Sequence, residues 1–112
     1  MNKRFVLLLL IFVFPSAWAG TPEENYKTYC WQCHGMQGDG MGLNVRDMSV
    51  QPRDHTSKKA MGGRSDEDLF NVIKDGGLAL DKSVLMPPWA DTLSDKEIHE
   101  LVNYLVKLCK CR

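Results

Sequence analysis

The chain has little of what marks most functional classes. Its formal net charge is zero, with 14 basic residues against 14 acidic ones. That balance gives no electrostatic case for binding nucleic acid or an anionic membrane. Beyond residue 19 no apolar run approaches the roughly 20 residues that a bilayer span requires. No stretch of useful length alternates as a strand does, and no segment repeats. The glycine-rich Gly38-Asp39-Gly40-Met41-Gly42 has no strand before it and lacks the lysine of a phosphate-binding loop. Its glycines are better read as backbone that must pass close to something.

What is present begins with an export pattern. Asn2-Lys3-Arg4 is a basic start, Phe5 to Phe14 is unbroken apolar sequence, and Pro15-Ser16-Ala17-Trp18-Ala19 closes on Ala-x-Ala. Residues 1–19 therefore read as a cleavable secretory signal peptide. An uncleaved anchor is the alternative, opposed by the shortness of the run and by the small residues Ala17 and Ala19. Cleavage leaves residues 20–112 as a single small domain, mildly acidic once Lys3 and Arg4 are gone. A domain of this size buries a modest core and often needs a staple.

Helix starts are written plainly. Thr21-Pro22-Glu23-Glu24 offers an N-cap, a proline at the first helical position and the glutamate of a capping box. Tyr26, Tyr29, Cys30 and Cys33 then recur on one helical face. Ser65 precedes three acids that suit a helix dipole, Leu69, Phe70, Val72 and Ile73 supply an apolar face, and Asp75-Gly76-Gly77 ends it. Ser94-x-x-Glu97 opens a last helix with Ile98, Leu101, Val102, Leu105 and Leu108 on one side. Between Gly35 and Arg64 periodicity fails, apart from short helical turns near Leu43–Met48 and Ser57–Met61. So long a loop makes sense if it wraps a cofactor.

That cofactor has an attachment signature, Cys30-Trp31-Gln32-Cys33-His34. Two thiols on about one helical turn face the two vinyl groups of a porphyrin, and the adjacent histidine falls under the iron. Two rivals stay open on these residues alone. One is a thioredoxin-like redox pair, which wants a βαβ setting. The other is a Cys₄ zinc site completed by Cys109 and Cys111.

Taken together, the chain resembles class I monohaem cytochromes c over nearly all of residues 21–108. The resemblance rests on Cys30–Gly35, the glycines through Gly42, the helix ending at Gly76-Gly77, Met86-Pro87-Pro88-Trp89 and the final helix through Tyr104-Leu105. It implies an all-α cytochrome c-like fold, three main helices plus short turns around one haem c bound through Cys30 and Cys33. It implies His34 and Met86 as axial iron ligands, and an aromatic pair, Tyr26 with Tyr104, where the first and last helices cross. Leu43 departs from the pattern, since many relatives with these glycines carry proline there. That leaves open which backbone carbonyl orients the His34 ring.

Methionine is usually core filler, so Met86 needs its own argument. It lies far enough along the chain to reach the opposite haem face, and Pro87-Pro88 stiffen the segment presenting its sulfur. Met61 is the next methionine candidate, and His55 is the strongest rival of another type, with a bond to backbone or a propionate as its plainer role. Trp89 can cover the haem edge and offer its indole N–H to a propionate, with core packing as the alternative. His99 sits among charges and reads as solvated. Cys109 and Cys111 can pair with each other or another chain, bind metal, or stay free. A bond across one residue would reduce easily.

The expected function is electron transfer in the bacterial periplasm, since bacteria attach haem covalently outside the cytoplasm. No catalytic residue, small-molecule substrate or nucleic acid is expected. Partners are redox proteins docked by charge, with Arg53, Lys58, Lys59 and Arg64 as a local basic patch. Membrane contact would come only through a partner or an uncleaved signal segment. The competing reading is a haem enzyme subunit or gas sensor with an open or displaceable sixth position.

Overall fold

The computed structural model describes residues 19–112, and the signal segment read at residues 1–19 lies outside them except for Ala19. Five helices and two 3₁₀ turns make up the fold, with no strand among the described residues: α1 Pro22–Tyr29, α2 Trp31–His34, a turn at Leu43–Asp47, α3 Lys58–Met61, α4 Asp66–Asp75, a turn at Leu78–Leu80, and α5 Asp95–Leu108. Helices α1, α4 and α5 are the main ones, as the sequence pattern requires.

Each main helix starts with a closed capping box. Thr21 with Glu24, Ser65 with Asp68, and Ser94 with Glu97 exchange side-chain and backbone hydrogen bonds. These satisfy donors that the first helical turn otherwise leaves orphaned. The α1 pattern continues into the cysteine motif with one interruption. Cys30, at φ −112° and ψ −33°, forms a turn between the two helices, and α2 continues from it, His34 N donating to Cys30 O at 2.9 Å.

The core lies where α5 crosses α1 and α4. Tyr26, Ile98, Leu101 and Val102 are all but inaccessible, and each such aliphatic side chain contributes about 1.5–3 kcal/mol. Tyr26 packs on Tyr104, ring centroids 5.3 Å apart, so the aromatic pair implied by the resemblance forms, with Tyr104 half-buried. Asn25 Nδ2 donates to Glu97 Oε1 at 3.4 Å across the same crossing. On the other side, Lys74 Nζ bonds Asp95 Oδ1 at 2.9 Å. His99 remains exposed but stacks on Phe70 at 4.4 Å, a contact its charged neighbours conceal.

Two glycines are dictated by close approach. A Cβ on Gly42 would run into Gln32 O, and one on Gly77 into Ser83 O. The first presses the loop after α2 against the cysteine motif. The second lets the loop that follows α4 fold back on itself, closed by Gly77 N donating to Met86 O at 2.9 Å.

Candidate functional site

A cavity of about 460 Å³ opens between these elements, within the roughly 300–1,000 Å³ typical of ligand sites. Helix α2 and the residue before it place Cys30, Cys33 and His34 on its lining. The loop after α4 adds Met86 and Trp89, helix α4 adds Leu69, Val72 and Ile73, and α5 adds Leu101 and Leu105. Arg53, Arg64 and Lys82 contribute cations to the same lining. Residues from both ends of the chain thus converge on one largely apolar space.

The histidine on this lining is held in one orientation. His34 Nδ1 donates to the carbonyl oxygen of Arg53 at 3.0 Å. That carbonyl, 19 positions along the chain, orients the ring, settling the point that Leu43 left open. With Nδ1 occupied, Nε2 is the nitrogen left for a metal. Burial holds His34 below its ordinary value of 6.5, the Arg53 carbonyl opposing. The ring is therefore neutral and ligand-competent at neutral pH.

His55 is the residue whose role sequence reasoning missed. It is only 8% exposed and stacks on His34, centroids 4.1 Å apart and planes 18° from parallel. Its Nδ1 shares a hydrogen bond with Tyr26 Oη at 3.0 Å, and its backbone N–H donates to Gly38 O at 2.6 Å. Burial first, then His34 and Arg53, hold it well below its ordinary range. A neutral imidazole thus backs another one. His55 stacks beside the ring of His34 and lines the same cavity. The only advance signal was a histidine two residues after Arg53.

The methionines separate by place. Met86 lines the cavity and is half-buried, held by Met86 N to Ser83 O at 3.2 Å and by Gly77 N to Met86 O. Met48 also lines it. Met61 does not: it is 3% exposed within the core cluster, where it fills space. Trp89 lines the cavity and tilts against Tyr29 at 5.2 Å, while its backbone N–H donates to Ile73 O at 3.0 Å.

The cysteines bear on the rival chemistries. Burial first, then Cys33, pushes the Cys30 thiol up to about 12. A redox-active Cys-x-x-Cys pair instead lowers a thiol pKa. Cys109 and Cys111 are joined to each other, so they do not complete a Cys₄ set. Among the described residues no group of three or more His, Cys, Asp or Glu could hold a metal ion. Two unpaired thiols, Cys30 and Cys33, an oriented imidazole and a thioether around one apolar cavity are the donor set that a haem c takes.

Residues 18–105 match the family described as cytochrome C oxidase, cbb3-type, subunit III. A solved c-type cytochrome, KustC0563, is similar at a TM-score of 0.62 and 22% identity, over 78% of this chain and 95% of that one. A chain of the Kuenenia stuttgartiensis reducing HAO-like protein complex Kustc0457/Kustc0458 is similar at a TM-score of 0.63 and 30% identity. That likeness covers 84% of this chain and 44% of the other, so this chain spans under half of its neighbour's length. No curated protein matches the sequence.

Proposed function

Because the chain belongs to the cytochrome c oxidase, cbb3-type, subunit III family and is a c-type cytochrome, we propose that it is a periplasmic one-electron carrier with a single haem c held by His34 and Met86. Electron transfer on a covalently bound haem, as a carrier or an electron-transfer subunit, comes with the family. The ligand pair, the count of one haem and the compartment are our reading. The haem, when bound, supplies a one-electron iron couple whose potential depends on its axial ligands and surroundings.

The chain's own residues do the rest. Cys30 and Cys33 anchor the group covalently. His34 offers Nε2 while Arg53 O fixes its tautomer and raises its basicity. Met86 brings a soft sulfur on a loop closed at Gly77, and Pro87-Pro88 limit how that loop can relax. Leu69, Val72, Ile73, Leu101 and Leu105 exclude water from the cavity, which favours the less charged, reduced state. Trp89 covers part of the same lining, and its indole N–H is available to a propionate. The domain is residues 20–112, exported by the signal at 1–19, and among the described residues no helix is long and apolar enough to cross a membrane.

The observation that carries this reading is the joint presence of Cys30, Cys33, His34 and Met86 on one cavity. Its test is the weak red charge-transfer absorption of methionine–iron ligation in the oxidised protein. We expect Met86→Ala to abolish it, to lower the potential and to admit carbon monoxide or cyanide, while Met48→Ala and Met61→Ala keep it. Loss of the band in Met48→Ala with retention in Met86→Ala would sink the assignment.

Redox partners dock by charge at Arg53, Lys58, Lys59 and Arg64. In support, Lys58 and Lys59 are exposed on α3, and Arg53 and Arg64 line the cavity. A second reading, a cytochrome subunit of a larger oxidoreductase, is favoured by the likeness to a chain of a reducing HAO-like complex.

A further inference from the structure

Outside the cavity, Cys109 and Cys111 have chemistry that the proposed electron carrier does not use. Their sulfurs are joined across a single intervening residue, with Cα atoms 5.2 Å apart. Four features bear on how firmly this bond is kept. A disulfide closing so short a loop adds the least to stability, because it removes little freedom from the unfolded chain. Lys110, between the two cysteines, is held at φ +54°, a left-handed conformation costly to any residue with a Cβ. Cys109 Sγ lies 3.3 Å from Val106 O. A bonded sulfur has no proton for that oxygen, whereas the thiol of the opened form donates to it. Finally, Lys107 and Lys110 lie beside the pair in the sequence and offer cations to a thiolate released there, while Arg112 is ion-paired with Asp66.

We propose that Cys109–Cys111 is a thiol–disulfide exchange site, opened by a vicinal dithiol presented by another protein. The two sulfurs are unequal. Cys109 is 3% exposed, whereas Cys111 is only partly buried, so attack falls on Cys111. A partner thiolate bonds to Cys111 Sγ as the Cys109–Cys111 bond breaks. The electron pair stays on Cys109 sulfur, which takes a proton from solvent and, as the thiol, hydrogen-bonds to Val106 O. The partner's second thiolate then attacks the partner sulfur of the mixed disulfide and releases Cys111 as thiolate, which takes from solvent the second proton shed by the partner dithiol. In total the chain gains two electrons and two protons, and the partner leaves as a disulfide. Closing reverses these steps. The site is independent of the haem reading.

The test uses the haem-loaded protein in glutathione buffers of increasing reduced fraction. Thiols are trapped by alkylation and mapped by mass spectrometry, while haem absorbance reports that the fold is intact. We expect Cys109 and Cys111 to be alkylated together in the folded protein, in buffers that leave ordinary structural disulfides closed. With an aromatic disulfide reagent, the Cys111 thiol of Cys109→Ser should react at least about tenfold faster than the Cys109 thiol of Cys111→Ser. A bond that opens in the wild type only when the chain unfolds overturns the proposal, and so does faster reaction at Cys109. The wild-type measurement stands even if neither serine variant folds.

Discussion

Tyr26→Phe takes one oxygen out of the centre of the fold, and its cost can be worked from the structure. Tyr26 is 1% exposed and His55 8%, and their hydrogen bond is 3.0 Å long. Without the hydroxyl, His55 Nδ1 has no protein partner and little access to water. A buried polar group left so costs about 1–3 kcal/mol. His55→Phe strands the Tyr26 hydroxyl in the same way and should cost a similar amount. The double variant contains neither polar group, and replacing both partners by apolar ones is close to neutral. The two single losses should therefore fail to add, with a coupling of about 1 kcal/mol or more. For a domain of this size each 1 kcal/mol moves the midpoint of thermal unfolding by about 4–8 °C. Unfolding of the haem-loaded protein by heat and by denaturant, followed by far-ultraviolet circular dichroism, reads all four corners of the cycle. Additive losses would refute the reasoning, because they would mean the two side chains do not satisfy each other.

Other outcomes are equally open to measurement. Cys30→Ala with Cys33→Ala should leave a colourless, poorly folded chain on a haem-peroxidase-stained gel, since the cofactor supplies much of the core; a stable colourless protein would contradict the haem reading. Gly42→Ala should destabilise strongly, because the new methyl meets the Gln32 carbonyl and backbone cannot yield cheaply; an unchanged unfolding midpoint would mean that the loop is not pressed against α2. Glu24, Asp68 and Glu97 are held below their ordinary values of 4.5, 3.8 and 4.5, chiefly by the backbone N–H groups of Thr21, Ser65 and Ser94. Their contribution is present above those ordinary values and is lost as pH falls through the lowered ones. Glu24→Gln, Asp68→Asn and Glu97→Gln together should flatten the acid limb of the stability profile. Lys58→Glu with Lys59→Glu should slow electron transfer to the physiological partner most at low salt, leaving the potential nearly unchanged; equal rates at low salt would remove the patch from docking.

Sequence reading succeeded wherever the determinant was local. A cap needs only a few consecutive residues, so the capping boxes at Thr21 and Ser94 and the acids after Ser65 announced the three main helices before any fold was considered. The Cys30–His34 spacing, equally local, pointed to the c-type cytochrome family that the chain belongs to, and Leu43–Asp47 and Lys58–Met61 formed where short turns were expected. What could not be read depends on residues far apart in the chain. The stack of His55 on His34 requires the loop to bring residue 55 back beside α2. The Arg53 carbonyl orients His34 through backbone, which carries no side-chain signature. Met61 and Met48 are chemically identical in a sequence, and only the fold puts one in the core and the other on the cavity.

The crossing of α1 by α5 has a consequence for the order of events in the life of the chain. The Asn25–Glu97 bond joins residues 72 positions apart, and closing so long a loop is entropically costly until many contacts form together. The cysteine motif directly follows α1, whereas α5, which completes the cavity with Leu101 and Leu105, is made later. Until α5 docks, Cys30 lacks Leu101 and Leu105, which share its cavity lining in the finished fold. The topology therefore provides an interval in which the thiols face solvent on an otherwise growing chain, and docking of α5 ends it. Pulsed cysteine labelling during refolding of the haem-free chain should find Cys30 reactive until the α1–α5 contact forms; protection of Cys30 before that contact would reverse the order.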